Sequence, residues 1–330
     1  MIGYTTKTGH AGLAYCGLPD TCGGPCMWRR AAGCAFGTSL WGVAILAGIL
    51  SVSILGSASL AAQSLATEWV QGHNVRTRLV AGHVPVGKPG SGQATTSLAA
   101  GLEMELTPGW KTYWRIPGDA GGVPPEFDWS ESENVASAVV YYPAPRRLTD
   151  RAGSTIGYKD HVVFPVLIEA KDSTRPVKLR LMLAFGVCHD ICVPSEGTYE
   201  IAIPPGGAPL SNEIKSALAR VPTPAAAIRT EAENMVPRLA KVETDLAAAE
   251  PTVTLHVLFP GGTKDADVFV EGPVGEYVPM TVHKGEGAEG AQIYVIELSK
   301  GADVAALKGQ SLRVTMVSEA GQAEASFILQ

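Results

Sequence analysis

The chain has 330 residues, 46% of them apolar and 18% charged, with a formal net charge of -6. Such a composition describes one or two packed globular domains and excludes a disordered chain. The negative balance and the lack of any basic run exclude a nucleic-acid surface, so no nucleic-acid partner is expected.

The first 62 residues read as a leader. Arg29 and Arg30 precede the apolar run "LWGVAILAGILSVSILGSASLAAQ", which is followed by small residues between Ser57 and Ala62. A positive flank, an apolar stretch and a small-residue end are the layout of a secretory signal peptide, here expected to be cleaved after Ala61 or Ala62. The alternative is an N-terminal membrane anchor, for which the apolar run is short. Residues 1–28 are long for the charged start of such a peptide, which predicts a translation start further downstream. Cys16, Cys22, Cys26 and Cys34 all lie in this segment, so Cys188 and Cys192 are the remaining two of six cysteines. Removing the segment's three Lys+Arg and one Asp+Glu takes the formal charge from -6 to -8. An exported pair sits where disulfides form and persist.

Residues 63–207 then alternate short β patterns with Gly, Pro, Asn and Asp. Strands are expected at 75–81, 99–107, 110–115, 135–143, 161–170, 177–185 and 198–203. Val177, Leu179, Leu181 and Leu183 alternate with Lys178 and Arg180, the period of a half-buried strand. "GYKD" (157–160) reads as a turn, and Tyr158 and His161 are expected at the surface or an edge. Turn residues recurring about every ten positions predict a β-sandwich.

Residues 208–250 read as a connector that contains one short helix, "LSNEIKSALARVP", capped by Ser211 or Asn212. Residues 251–330 return to strands, at 252–259, 266–272, 291–298, 311–318 and 324–330. The expected architecture is all-β, two tandem sandwiches joined by a short helical connector.

The chemistry concentrates in "AFGVCHDICVPSEG" (184–197). Cys188 and Cys192 bracket His189, Asp190 and Ile191, and Pro194 follows. Three readings stand side by side. As a structural staple, a disulfide closing so short a loop contributes roughly 2 kcal/mol. As a metal site, Cys188, His189 and Cys192 offer soft ligands for Cu(I), but no second ligand pair completes a zinc site. As a redox pair, the two thiols can close across a turn between strands, one sulfur forming a mixed disulfide and the other resolving it. His189 would support a thiolate and Asp190 would oppose it, while Pro194 keeps the following chain extended. His73, His83, His256 and His283 show no ligand spacing. No hydrolase, metalloprotease, phosphate-loop or dinucleotide motif is present.

"FGVCHDICVP", together with "LTPGWKTYWRIPGDAGGVPPEFDWSESENV" (106–135), "YYPAPRR" (141–147) and "GYKDHVVFPVLIEA" (157–170), resembles the N-terminal periplasmic domain of the DsbD family of thiol:disulfide interchange proteins, and within it the ScsB-like branch associated with copper tolerance. The resemblance implies an immunoglobulin-like fold with a redox-active disulfide, Cys188–Cys192, carried on a hairpin, no organic cofactor and a periplasmic location. It implies that Cys192 forms the mixed disulfide and Cys188 resolves it. The implied partners are a membrane electron-transfer protein of the DsbD/CcdA type and periplasmic thioredoxin-fold proteins, DsbC- or ScsC-like. Keeping disulfide isomerases or cytochrome c maturation factors reduced is the implied wider role. Family members also carry a cap over the cysteines. Here the Gly/Pro-rich segment 115–127 is the expected cap; Trp110, Tyr113, Trp114, Phe127 and Trp129 read as sandwich core, with some of them expected to cover the pair, and Phe185, Trp114 and Phe127 are expected near it.

Overall fold

The alternation at Val177–Leu183 is realised as designed by its period: Val177, Leu179, Leu181 and Leu183 are buried, while Lys178, Arg180 and Met182 stay half-buried or exposed. The computed structural model describes residues 65–87, 94–151, 153–206, 208–209, 211–225 and 235–330; the leader with its four cysteines, read above as an export signal, lies outside them. Among the described residues, no helix is long and apolar enough to cross a membrane.

Twelve strands build the first sandwich: β1 (Leu65–Ala66), β2 (Val70–Gly72), β3 (Val75–Gly87), β4 (Ala94–Leu106), β5 (Lys111–Tyr113), β6 (Glu126–Asp128), β7 (Val135–Val140), β8 (Arg146–Asp150), β9 (Gly153–Lys159), β10 (His161–Ala170), β11 (Val177–Cys188) and β12 (Cys192–Ile203). One sheet runs β1-β3-β4-β10-β7 with β2 added on β3, and the other runs β12-β11-β5-β9-β8 with β6 added on β11. Leu79, Leu102, Met104, Trp114, Phe164, Leu179 and Leu181 fill the space between them. At about 25 cal/mol per Å² of apolar surface, a core of this kind is the main stabilising term.

Helix α1 (Asn212–Leu218) follows, with Ser211 as its N-cap: the hydroxyl oxygen accepts from Ile214 N at 3.2 Å, satisfying one of the amides that a helix start leaves open. The second sandwich contains β13 (Thr223–Pro224), β14 (Arg238–Asp245), β15 (Thr252–Leu258), β16 (Asp267–Glu271), β17 (Val282–Glu286), β18 (Gln292–Glu297), helix α2 (Val304–Leu307), β19 (Ser311–Ser318) and β20 (Gly321–Ile328). Its sheets run β13-β20-β19-β16 and β14-β15-β18-β17. The all-β, tandem-sandwich expectation therefore holds.

Two expectations need correction. Strand β14 falls inside the expected connector, yet it pairs with β15 from Arg238↔Leu258 to Asp245↔Thr252, so the second sandwich begins before residue 251. Residues 157–159 are not a turn but the end of β9, and Tyr158 is buried in the core with its hydroxyl donating to Pro143 O at 2.8 Å. The turn is made one residue later by Asp160, at φ 64°. His161 is at the surface as expected, beside the Glu103 carboxylate at 2.9 Å.

The buried tyrosines make the fold sensitive to alkali. Burial pushes the Tyr142 phenol up to about 12, and burial followed by the Asp267 carboxylate does the same for Tyr294. An unfolded tyrosine ionises near pH 10. The folded state therefore binds more protons above pH 10, so stability present below that pH is lost as pH climbs from 10 to 12. Tyr294 alone should account for roughly 3 kcal/mol across that window. The urea midpoint is expected to be flat from pH 7 to 9 and to fall steeply above pH 10, with Tyr294→Phe reducing the slope.

Candidate functional site

Strands β11 and β12 form a hairpin in unbroken register from Val177↔Ile203 to Cys188↔Cys192. The two cysteines are thus direct cross-strand neighbours at the hairpin's end, with Cα atoms 4.1 Å apart and the sulfurs joined as a disulfide. Residues 189–191 make the connecting loop, closed by His189 N donating to Ile191 O at 3.1 Å. The two sulfurs are unequal in access. Cys188 is 1% exposed, whereas Cys192 is exposed, and Ile191 beside it is 68% exposed.

Strand β5 lies on the other side of β11, with Lys111 paired to Cys188. Side chains alternate along a strand, so Lys111 and Tyr113 share a face with Cys188, while Thr112 and Trp114 face the opposite way. Tyr113 is 2% exposed and its hydroxyl reaches both sulfurs, donating to Cys188 Sγ at 2.9 Å and lying 3.0 Å from Cys192 Sγ. Burial, and then the Asp150 carboxylate, push the Tyr113 phenol up, so it stays a protonated donor. Lys111 is also buried, its ammonium donating to Asp150 Oδ2 at 2.7 Å and Thr155 Oγ1 at 3.1 Å.

What covers Tyr113 is the expected cap segment, at residues 121–123. A Cβ placed on Gly122 would sit 2.2 Å from the Tyr113 ring, so only a glycine lets the backbone pass so close. Val123 O accepts from Gly186 N at 3.0 Å, pinning the segment to β11 just before Cys188. The segment therefore lies on the tyrosine, and the tyrosine on the disulfide.

The expected neighbours divide. His189 and Asp190 are at the site but are paired with each other, Nδ1 to Oδ2 at 2.9 Å. The Arg151 guanidinium, 3.1 Å from Asp190, and then His189 hold the Asp190 carboxyl below its usual range. The His189 ring packs near Trp110 at 5.8 Å, and Trp110 on His73 at 5.2 Å, giving an aromatic rim beside the exposed sulfur. Pro194 is exposed and paired with Gly186 within the hairpin. Phe185 is buried in the core cluster, one residue out of phase with Cys188.

Two expected neighbours lie elsewhere. Trp114 packs on Phe269 of the second sandwich at 5.9 Å, because alternation turns it away from Tyr113. Phe127 packs on Phe164 at 5.6 Å and Tyr142 at 6.3 Å, in the core. Sequence reasoning missed Lys111, and it named Tyr113 among five aromatics without singling it out. The pointer to both was alternation in "WKTYW", which sets Lys111 and Tyr113 on one face and Thr112 and Trp114 on the other. Among the described residues, no group of three or more His, Cys, Asp or Glu side chains is placed to hold a metal ion. Chemically, the arrangement is one reachable sulfur, one shielded sulfur and a single phenol donor aimed at both.

Comparison with known proteins agrees with this geometry. A family model described as the N-terminal domain of the thiol:disulfide interchange protein DsbD matches residues 87–203. The crystal structure of the N-terminal periplasmic domain of ScsB from Proteus mirabilis superposes with a TM-score of 0.59 at 20% identity, covering 81% of this chain and 99% of that one. At that identity the likeness is one of fold, and a share of 81% extends beyond the first sandwich into the second. No match was found among curated proteins.

Proposed function

Residues 87–203 belong to the family of N-terminal domains of the thiol:disulfide interchange protein DsbD, and from that premise we propose that this protein passes reducing equivalents to exported thioredoxin-fold proteins through Cys188 and Cys192. The observation that carries the proposal is the unequal access of the two sulfurs at a hairpin end, Cys192 exposed and Cys188 1% exposed. Exchange of this kind needs an attacking sulfur that a partner can reach and a second one that resolves the adduct.

In the reduced protein the Cys192 thiolate attacks one sulfur of the partner's disulfide. A bond forms between Cys192 and the partner, the partner's own S–S bond breaks, and its second sulfur leaves as a thiolate that takes up a proton. The Cys188 thiolate then attacks Cys192 Sγ. The Cys188–Cys192 bond forms, the bond to the partner breaks, and the partner leaves with the electron pair as a dithiol. The protein is left as the disulfide described here. Two electrons from a membrane electron-transfer protein of the DsbD/CcdA type reset it, through the same atoms in reverse. The pair itself carries the electrons, so no other cofactor enters the reaction. We place the protein in the periplasm, where the leader would send it; the ScsB domain that it matches in fold is described as periplasmic.

Mixing the reduced protein with an oxidised DsbC-like isomerase tests this directly. Two thiols should appear on the isomerase for each Cys188–Cys192 disulfide formed, read by mass spectrometry after alkylation, and the reduction potential of the pair should lie above about -300 mV. No transfer, with a potential below that value, would mean an inert staple and would sink the proposal.

A further inference from the structure

The second sandwich hydrogen-bonds the segment that covers Tyr113 at two points. At the segment's start the Arg115 guanidinium donates to Glu271 at 2.6 to 2.9 Å, to Thr315 Oγ1 at 3.3 Å and to Glu324. Four residues on, Asp119 Oδ1 accepts from the Tyr277 hydroxyl and from Met280 N, both at 2.8 Å. Three residues beyond Asp119, Gly122 lies on the Tyr113 ring.

Between these grips the segment has no strand pairing of its own. Its remaining ties to the first sandwich are few: Pro117 O accepts from Ile156 N at 2.8 Å, Ala120 N donates to Ser154 O at 3.1 Å, and Val123 O accepts from Gly186 N at 3.0 Å. A stretch of backbone held by so few bonds opens locally far more often than the strands around it, unless something else holds it down.

We propose that the second sandwich is a brace for the redox site, holding residues 116–123 closed over Tyr113 through Asp119, which is a positioning residue. The inference rests on the thiol–disulfide reading of Cys188 and Cys192 and assigns the second sandwich its part in it. With the segment down, the Tyr113 ring is fixed and its hydroxyl stays on both sulfurs. With the segment lifted, the ring is free to move and its hydroxyl no longer stays on the sulfurs. Asp119 is the informative position because it is exposed and accepts two hydrogen bonds from the far sandwich. Arg115 is less informative, because its removal would leave Glu271 and Glu324 in a partly buried site without their main cation.

The test is the rate at which dithiothreitol reduces the Cys188–Cys192 disulfide in the full chain, measured with the urea midpoint of each variant. Dithiothreitol needs no protein docking surface, so the result stands whether or not the pair exchanges with a thioredoxin-fold partner. Asp119→Ala should slow reduction roughly fivefold at an unchanged urea midpoint, because a freed Tyr113 ring no longer holds its hydroxyl on Cys188, the sulfur that leaves when dithiothreitol attacks the exposed Cys192. Asp119→Asn, whose carbonyl accepts both bonds, should stay within about twofold of the wild-type rate. The proposal is overturned if Asp119→Ala reduces at the wild-type rate. It is equally overturned if both variants are slowed alike, or if Asp119→Ala is reduced faster than wild type.

Discussion

A Cys188→Ser variant should accumulate a stable adduct with a thioredoxin-fold substrate, bonded through Cys192, while Cys192→Ser should form none. In Cys188→Ser the exposed sulfur is kept and the resolving one is gone, so the first exchange proceeds and the second has no nucleophile. In Cys192→Ser the remaining sulfur is 1% exposed and lies beneath the hairpin end, where a partner's disulfide has no line of approach. An S–S exchange needs the incoming sulfur in line with the bond it breaks, and burial of this degree blocks that line. The difference between the two variants should therefore be nearly all-or-none rather than a few-fold. Non-reducing electrophoresis of each variant with an oxidised DsbC-like protein, followed by mass spectrometry of the cross-linked peptide, reads it out. Equal yields of adduct from both variants would mean that access does not assign the roles, and that the hairpin opens before it reacts.

The cysteine hairpin was legible in the sequence because its pattern is local. Period two runs through Val177–Leu183, and a three-residue loop joins the cysteines. The sequence was less legible where the fold depends on distant contacts. Strand β9 was missed because "GYKD" carries turn residues. Gly157 is there for a different reason: a Cβ on it would lie 2.0 Å from Thr112 O, so a glycine is what lets β9 approach β5. Strand β14 was missed because it is mostly exposed, sits in Ala- and Glu-rich sequence and gains its place only by pairing with β15. The expected cap segment lies on the ring of Tyr113, one of five aromatics that the sequence did not rank. The register of β5 gives the cysteine face to Tyr113 and sends Trp114 to Phe269. Size predicts burial, while strand phase decides on which side.

Tyr113→Phe should slow exchange at the pair by about tenfold without unfolding the protein. The substitution keeps the ring, which is packed under Gly122, and removes only the hydroxyl that contacts both sulfurs. When the Cys188–Cys192 bond breaks, the electron pair moves to Cys188, and the phenol is the side-chain donor that the structure places at that buried sulfur. A hydrogen bond to a charged acceptor contributes about 1.5–3 kcal/mol, and each 1.36 kcal/mol is tenfold in rate. Charge is only partly developed on Cys188 at the transition state, which favours the lower end of that range. The pH dependence separates this role from simple packing. Burial and Asp150 hold the phenol protonated past its ordinary value near 10, so wild type should keep its advantage over Tyr113→Phe from pH 7 to 10. Above that range the advantage should fade as the phenol ionises and ceases to donate. Rates of exchange with glutathione, taken for both proteins across pH 7 to 11, give the ratio directly. A ratio near one throughout would show that the hydroxyl only fills space beside the sulfurs, and that access alone sets the reactivity of the pair.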